Sequence, residues 1–235
     1  MVQSEPAAQH VVVDDGSSDE SAEVLACFPH LRAIQVTNRG MPAARNAGVM
    51  ALDPEIEWVF FLDGDDYLKH DFFENILAQV GDADIIVPNW VTYPEGVECA
   101  PAIMDPTWQE LMANCAISFG VIRRELFVEC GGYHPAMGGD CDWDFWIDAR
   151  RRGAKIAYAP EAIAYYRQHG GSFTANVTQE IREEHIREME RHMRQPLYDK
   201  SVKKSSQELY MREFDKVMKK LEDDLVKVRA ARASQ

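Results

Sequence analysis

Between His10 and Trp90 short β-branched runs alternate with helix-like stretches, and this alternation constrains the fold more than any other feature. "HVVVDDG" ends a β-branched run in acid and glycine, the pattern of a buried strand entering a turn. In "SSDESAEVLACF" Ser17 and Glu20 have the S-x-x-E spacing of a capping box, which predicts a helix opening there. "LRAIQVT" reads as a second strand, and "MPAARNAGVMAL" as a helix with Pro42 in its first turn. "EWVFFLD" is a third strand, and "DFFENILAQV" a helix with Phe72, Phe73, Ile76, Leu77 and Val80 at helical spacing. "ADIIVPNW" is a fourth strand. Strands and helices alternating this closely predict an α/β fold: a mostly parallel sheet with flanking helices.

Ligands in such sheets bind beyond the carboxyl ends of the strands. Two acidic turns fall on that rim: Asp14 and Asp15 after the first strand, and "FLDGDDYL" after the third. Asp63, Asp65 and Asp66 repel one another, and burying one unpartnered would cost several kcal/mol. A solvated turn accounts for them, since Asp and Gly are common turn formers. A cation accounts for them too. Mg²⁺ and Mn²⁺ take one or two carboxylates and leave the other positions to water and phosphate. Asp65, flanked by Asp63 and Asp66, supplies that arrangement, and Gly64 lets the backbone approach a ligand closely. "DDGSSDES" has two equal readings: a turn before a capped helix, or a carboxylate accepting from a nucleobase imide or ribose hydroxyl.

A net charge of −14 argues against a nucleic-acid partner, which needs clustered Lys and Arg, but permits a small phosphorylated ligand held through a metal. Five cysteines lie scattered without C-x-x-C spacing, which fits a reducing compartment better than a disulfide framework or zinc knuckle. No apolar run reaches the roughly 18 residues that span a bilayer, and "MVQSEPAAQH" lacks a leader pattern. The expected location is cytoplasmic, with peripheral attachment to a membrane left open.

From Asp105 the pattern changes. "TWQELMANCAISFGVIRRELFVECGGY" reads as helix, short strand, helix and a Gly-Gly stop. "DWDFWIDARRRG" is a helix with an apolar stripe of Trp143, Trp146 and Ile147, closed by arginines and Gly153. "KIAYAP" and "AIAYYRQH" are short strands. Residues 1–177 are thus read as one domain and 178–235 as a charged helical extension. There Tyr210, Phe214, Val217, Leu221, Leu225 and Val228 recur at spacings of three and four, suited to packing on the main domain or on a second copy.

Three further groups could carry chemistry. Arg45, beside Asn46 in a small-residue helix, suits diphosphate or base recognition, or else snorkels from a packed helix. Asp140, Asp142 and Asp144 stand among tryptophans, where a carboxylate can be raised into the range of a general base; an N-cap role explains Asp140 or Asp142 as well. His169, before a Gly-Gly loop, is a candidate ligand, although a lone His usually is not one.

The ordered set V-V-V-D-D-G-S-S-D, N-R-G-x-x-x-A-R-N-x-G, F-L-D-G-D-D, G-G-Y, D-W-D-F-W and Y-R-Q-H, spread over residues 10 to 172, resembles glycosyltransferase family 2 with its GT-A fold. The resemblance implies a nucleotide-sugar-dependent transferase, UDP-sugar foremost, that inverts the anomeric centre in one displacement onto a glycan or other hydroxyl acceptor. By similarity Asp14, Asp15 and Arg45 line the nucleotide pocket. Asp63 and Asp65 match the D-x-D motif around Gly64, with Asp65 binding Mn²⁺ or Mg²⁺ and His169 completing the metal site. Asp142 falls on the general base. Many relatives have Glu-Asp before the Trp where this chain has Cys141-Asp142, a change that bears on the acceptor pocket.

The resemblance also implies a further strand and helix ahead of V-V-D-D-G. The expectation is either a truncated reading frame or fragment, or a strand supplied otherwise, by a partner or by the helical tail covering the gap; an unpaired edge favours a homodimer. A non-catalytic binding or scaffold module is the competing reading. A nucleotidyltransferase ranks last, for want of a glycine-rich basic loop after the first strand.

Overall fold

The computed structural model describes residues 3–101 and 117–171, together with Thr178, Glu180, Ile181, Glu183, Glu184 and Arg187. The expected helix in "TWQELMANC", the boundary at 177 and the apolar stripe from Tyr210 to Val228 lie outside the described residues.

The first strand, β1 (Val11–Asp14), runs parallel to β2 (Arg32–Gln35), with Val11 opposite Arg32 and Asp14 opposite Gln35. Helix α1 (Ser21–Ala26) connects them but does not open on a capping box. The N–H of Ser17 is already donated to Asp14 Oδ1 at 2.8 Å, and the helix begins later, where Ser21 N–H reaches Asp19 Oδ1 at 3.1 Å. Helix α2 (Met41–Met50) starts as expected, with Pro42 in its first turn, where a missing N–H costs nothing.

The chain continues through β3 (Trp58–Val59), β4 (Tyr67–Leu68), helix α3 (Phe72–Leu77), β5 (Ile85–Tyr93) and β6 (Glu98–Cys99). After a 3-10 turn at Ile117–Phe119 come β7 (Val121–Arg123), helix α4 (Arg124–Glu129), a 3-10 segment Pro135–Asp140, helix α5 (Cys141–Arg151) and β8 (Ile156–Arg167). The larger sheet has the order β3-β7-β5-β8-β4, with β6 also on β5. Here β5 and β8 are parallel and the other pairs antiparallel, so the α/β sheet is mixed. β6 returns from β5 by a short turn, and such returns force antiparallel pairing. "KIAYAP" and "AIAYYRQH" form a single strand, irregular opposite Pro88 and Asn89. Pro160 lacks the N–H a ladder needs, which makes this the place for a bulge.

Alternate residues of β5 face opposite layers. Ile85 and Val87 pack with Phe145, Trp146 and Ile147 of α5, with Val49 of α2 and with Phe61, whereas Ile86 packs with Phe72 and Ile76 of α3. A Cβ at Gly120 would run into the Trp146 indole, so only glycine allows α5 to seat this closely. These two layers fix the strand ends, and the candidate site is built on those ends.

Candidate active site

Asp14 is buried at the end of β1, and both its oxygens serve the fold. Oδ1 accepts from Ser17 N–H and Oδ2 from Gln35 Nε2 at 3.2 Å; the bonds to Ser17 and Gln35 hold its pKa below the usual carboxylate range. Asp15 grips the loop that opens α2. Its Oδ1 accepts from Arg39 N–H at 3.0 Å and its Oδ2 from Gly40 N–H at 2.8 Å. The structural reading of "DDGSSDES" therefore holds for the Asp14 turn onto Ser17 but not for the capped helix, and Asp15 is engaged by the distant Arg39–Gly40 loop.

Past the core residue Phe61, the chain delivers Asp63, Gly64, Asp65 and Asp66 to the rim. Asp63 Oδ1 lies 2.6 Å from Arg45 Nη2, a pair whose arginine is nearly buried and whose carboxylate is about a third exposed. The guanidinium of Arg45 lies about 5.9 Å from the centre of the Phe61 ring, about 5.8 Å from that of Tyr133, and 4.0 Å from Cys141 Sγ. Burial opposes its charge, yet Asp63 and the electron-rich groups around it hold Arg45 above its ordinary range. Arg45 is thus neither a snorkelling surface arginine nor an isolated one: it joins the D-x-D loop to the start of α5. Asn46, one residue on, clamps the Gly-Gly-Tyr turn in both directions. Its Nδ2 donates to Tyr133 O and its Oδ1 accepts from Tyr133 N–H, both at 2.8 Å. Gly132, with φ +75°, must be glycine there, since a Cβ would stand 2.7 Å from Asn46 Oδ1.

Gly64 contrasts with it. A Cβ at Gly64 would meet nothing within 4 Å, so the fold places no atoms there and the space above the loop is open.

Asp65 and His169 meet, with His169 Nε2 2.9 Å from Asp65 Oδ2, both side chains less than half exposed. Two donors in neighbouring positions of an octahedral shell of about 2.1 Å radius stand about 3 Å apart, so this spacing fits two ligands of one Mg²⁺ or Mn²⁺. Among the described residues no group of three or more His, Cys, Asp or Glu converges on one point, which would leave the rest of the shell to water and phosphate. Asp66 ties this loop to the end of β8, accepting from Arg167 N–H at 2.8 Å on Oδ1, while its buried Oδ2 has no partner among the described residues. Burial first, then Asp63 and Asp65, push Asp66 up to about 7 against the pull of the Arg167 N–H.

Asp142 lies in the first turn of α5 and is 4% exposed. Its Oδ1 accepts from Trp143 N–H at 2.7 Å. Burial pushes it up to about 6, partly offset by Arg45. Asp140 occupies the N-cap position without a side-chain cap bond. Of the sequence candidates, the structure brings together Arg45, Asp63 and Asp142 in one cluster and Asp65 of the carboxylate loop with His169 past the end of β8 in a second. Asn46 and Tyr133, whose paired bonds fix the turn beside the first cluster, carry no local signal in the sequence that points to that role.

Comparison with known proteins defines the class first. The structure of Staphylococcus aureus TarS 1-349 in complex with UDP-GlcNAc aligns with a TM-score of 0.68 at 17% identity, covering 90% of this chain and 65% of that one. GalNAc-T7 with UDP, GalNAc and Mn²⁺ aligns at 0.53 and 15% identity, covering 69% and 38%. The fold is GT-A, that of nucleotide-sugar glycosyltransferases. The particular family follows from sequence: residues 2–131, more than half of the chain, match glycosyl transferase family 2, and the chain belongs to it. Glycosyltransferase GlyA of Streptococcus pneumoniae serotype 4 is 34% identical over 115 residues, which is 46% of this chain but only 16% of GlyA.

Proposed function

We propose that this chain is a metal-dependent, inverting glycosyltransferase that moves a sugar from a nucleotide-diphosphate sugar, UDP-sugar foremost, to an acceptor hydroxyl. The observation that carries the reading is the convergence of Asp65 with His169 at 2.9 Å on the loop whose first acid, Asp63, pairs with Arg45 beside the buried Asp142. A carboxyl that titrates near 6 is ionised at neutral pH and still basic enough to take the proton of an attacking hydroxyl. That oxygen then forms the new bond to the anomeric carbon from the face opposite the nucleotide, and the bond to the diphosphate breaks. Arg45 holds Asp63 and lends positive charge to this side of the rim. Mn²⁺ or Mg²⁺, held by Asp65 and His169, would neutralise the diphosphate as it leaves. The nucleotide's base and ribose would lie toward Asp15, reached over the open space at Gly64.

Other elements of the proposal rest on the sequence: residues 1–177 as the transferase domain, 178–235 as a helical extension that could pair two copies, and a cytoplasmic setting. Among the described residues no helix is long and apolar enough to cross a membrane, and the four described cysteines are unpaired thiols.

One observation favours the non-catalytic module instead. Asp14, Asp15 and Asp63 are all engaged by the protein itself, the first two by backbone N–H groups. Calorimetric titration with UDP, with and without Mn²⁺, beside Asp65→Ala separates the two. Metal-dependent binding that the variant lacks supports the transferase. If UDP, GDP and TDP all fail to bind, the module reading stands.

A further inference from the structure

On the face of the sheet that carries α5, the aromatic side chains do not stop where the helix stops. Tyr158 packs into the α5 layer and its hydroxyl donates to Asn89 Oδ1 at 2.6 Å, which places Asn89, and by the two-residue period Val91 and Tyr93, on that face of β5. Ala162, Ala164 and Tyr166 of β8 face the α3 layer, so Tyr165 and Arg167 share the α5 side; Leu68 likewise leaves Tyr67 there. The register agrees, with Val91 opposite Tyr165, Tyr93 opposite Arg167, and Tyr67 opposite Tyr165. Tyr67 and Tyr165 stack at 4.4 Å and 10°, Tyr93 meets the edge of Tyr67 at 6.0 Å, and the Arg167 guanidinium stands 5.9 Å from the Tyr93 ring centre. Tyr93 is 46% exposed. This platform abuts the carboxylate loop through one bond, Arg167 N–H to Asp66 Oδ1 at 2.8 Å, while Gln168 N–H to Tyr93 O, also 2.8 Å, ties the end of β8 to the end of β5 within the platform.

We propose that Tyr93, Tyr165 and Tyr67, with Arg167 at the margin, form the acceptor subsite, and that its occupant is a pyranose ring whose C–H face stacks on Tyr93 and whose hydroxyls meet Arg167. A pyranose has an apolar face and a polar edge, which match a tyrosine's apolar body and polar tip and the forked donors of an arginine. The platform's place is what commits it to the acceptor rather than to a protein: it continues the face on which α5, with Asp142 in its first turn, is packed, and it ends where His169, just past β8, meets Asp65 of the carboxylate loop. It rests on the transferase reading, and deepens it by naming the acceptor's chemistry.

The test is saturation-transfer NMR on the full chain with methyl glucoside, galactoside, mannoside and N-acetylglucosaminide, alongside Tyr93→Ala and Tyr93→Trp, with UDP and Mn²⁺ titrated into the wild type in parallel. The expected result is transfer to the ring C–H protons of at least one pyranoside, lost in Tyr93→Ala and kept in Tyr93→Trp, with the melting temperature of both variants checked. No pyranoside signal in the wild type, or an undiminished one in Tyr93→Ala, overturns the subsite. A signal that follows Tyr93 while UDP, GDP and TDP all fail to bind keeps the carbohydrate platform and overturns the transferase reading.

Discussion

Replacing Asp142 with Asn should make the protein more stable and nearly inactive, and the two effects should separate with pH. In the unfolded chain this carboxyl ionises near its ordinary value of 3.8, whereas burial in the fold pushes it up to about 6. Between those values the folded chain holds a proton the unfolded chain has released, so stability falls as pH rises from about 4 to about 6 and stays lowered above it. A displacement of about two units corresponds to about 3 kcal/mol at neutral pH. Asn cannot ionise and keeps an oxygen for the Trp143 N–H, but its amide needs an acceptor of its own, so a net gain of about 1–2 kcal/mol is expected. For a chain of this size each kcal/mol raises the melting temperature by about 2–4 °C. Calorimetry of wild type and Asp142→Asn at pH 8 and again near pH 4.5 reads the effect directly. The gain should be present at pH 8 and largely gone at pH 4.5, while turnover drops by about 10²–10⁴. A variant no more stable than wild type at pH 8, or a difference independent of pH, would refute a strained carboxylate. Unchanged turnover would refute the base.

Two other substitutions probe the neighbouring clusters. Gly64→Ala adds a methyl where the fold has open space, so stability should move by no more than about 0.5–1 kcal/mol, while UDP affinity in the presence of Mn²⁺ should fall about tenfold by calorimetry; equal affinity would show that no ligand approaches that backbone. Asn46→Ala strips both partners from the Tyr133 backbone and should cost about 2–4 kcal/mol in urea unfolding. A cost below about 1 kcal/mol would mean the turn holds without the clamp.

The strands, helices and acidic rim were legible because each rests on a local signal. The β-branched run before Asp14, the Pro42 start of α2 and the tryptophan stripe of α5 formed as read, whereas the strand expected over "EWVFFLD" is confined to Trp58–Val59 and ends before Phe60. The direction of strand pairing was not legible. "KIAYAP" and "AIAYYRQH" look like two strands because Pro160 interrupts them, and only the register with β5 shows one strand crossing a bulge. The capping box failed for a competing reason of the same kind: Ser17 is drawn into the Asp14 turn before the helix can use it.

The acids divide by what they meet in space, which spacing alone does not encode. Asp14 and Asp15 stand in the most helix-like and turn-like context, and backbone N–H groups take them. Asp63, Asp65 and Asp66 lie within three positions of one another, yet one meets an arginine from α2, one a histidine from the end of β8, and one a backbone N–H two residues before that histidine. The three carboxylates of "DGDD" therefore coexist because α2 and the end of β8 converge on one loop and together offer a separate charged or donor group to each acid. Asp66 carries a cost: among the described residues its buried second oxygen has no partner, and burial first, with Asp63 and Asp65 adding to it, drives its pKa up to about 7. Asp63 is held by Arg45 and Asp65 by His169, side chains from outside the loop, whereas Asp66 is held on one oxygen only, by the Arg167 N–H.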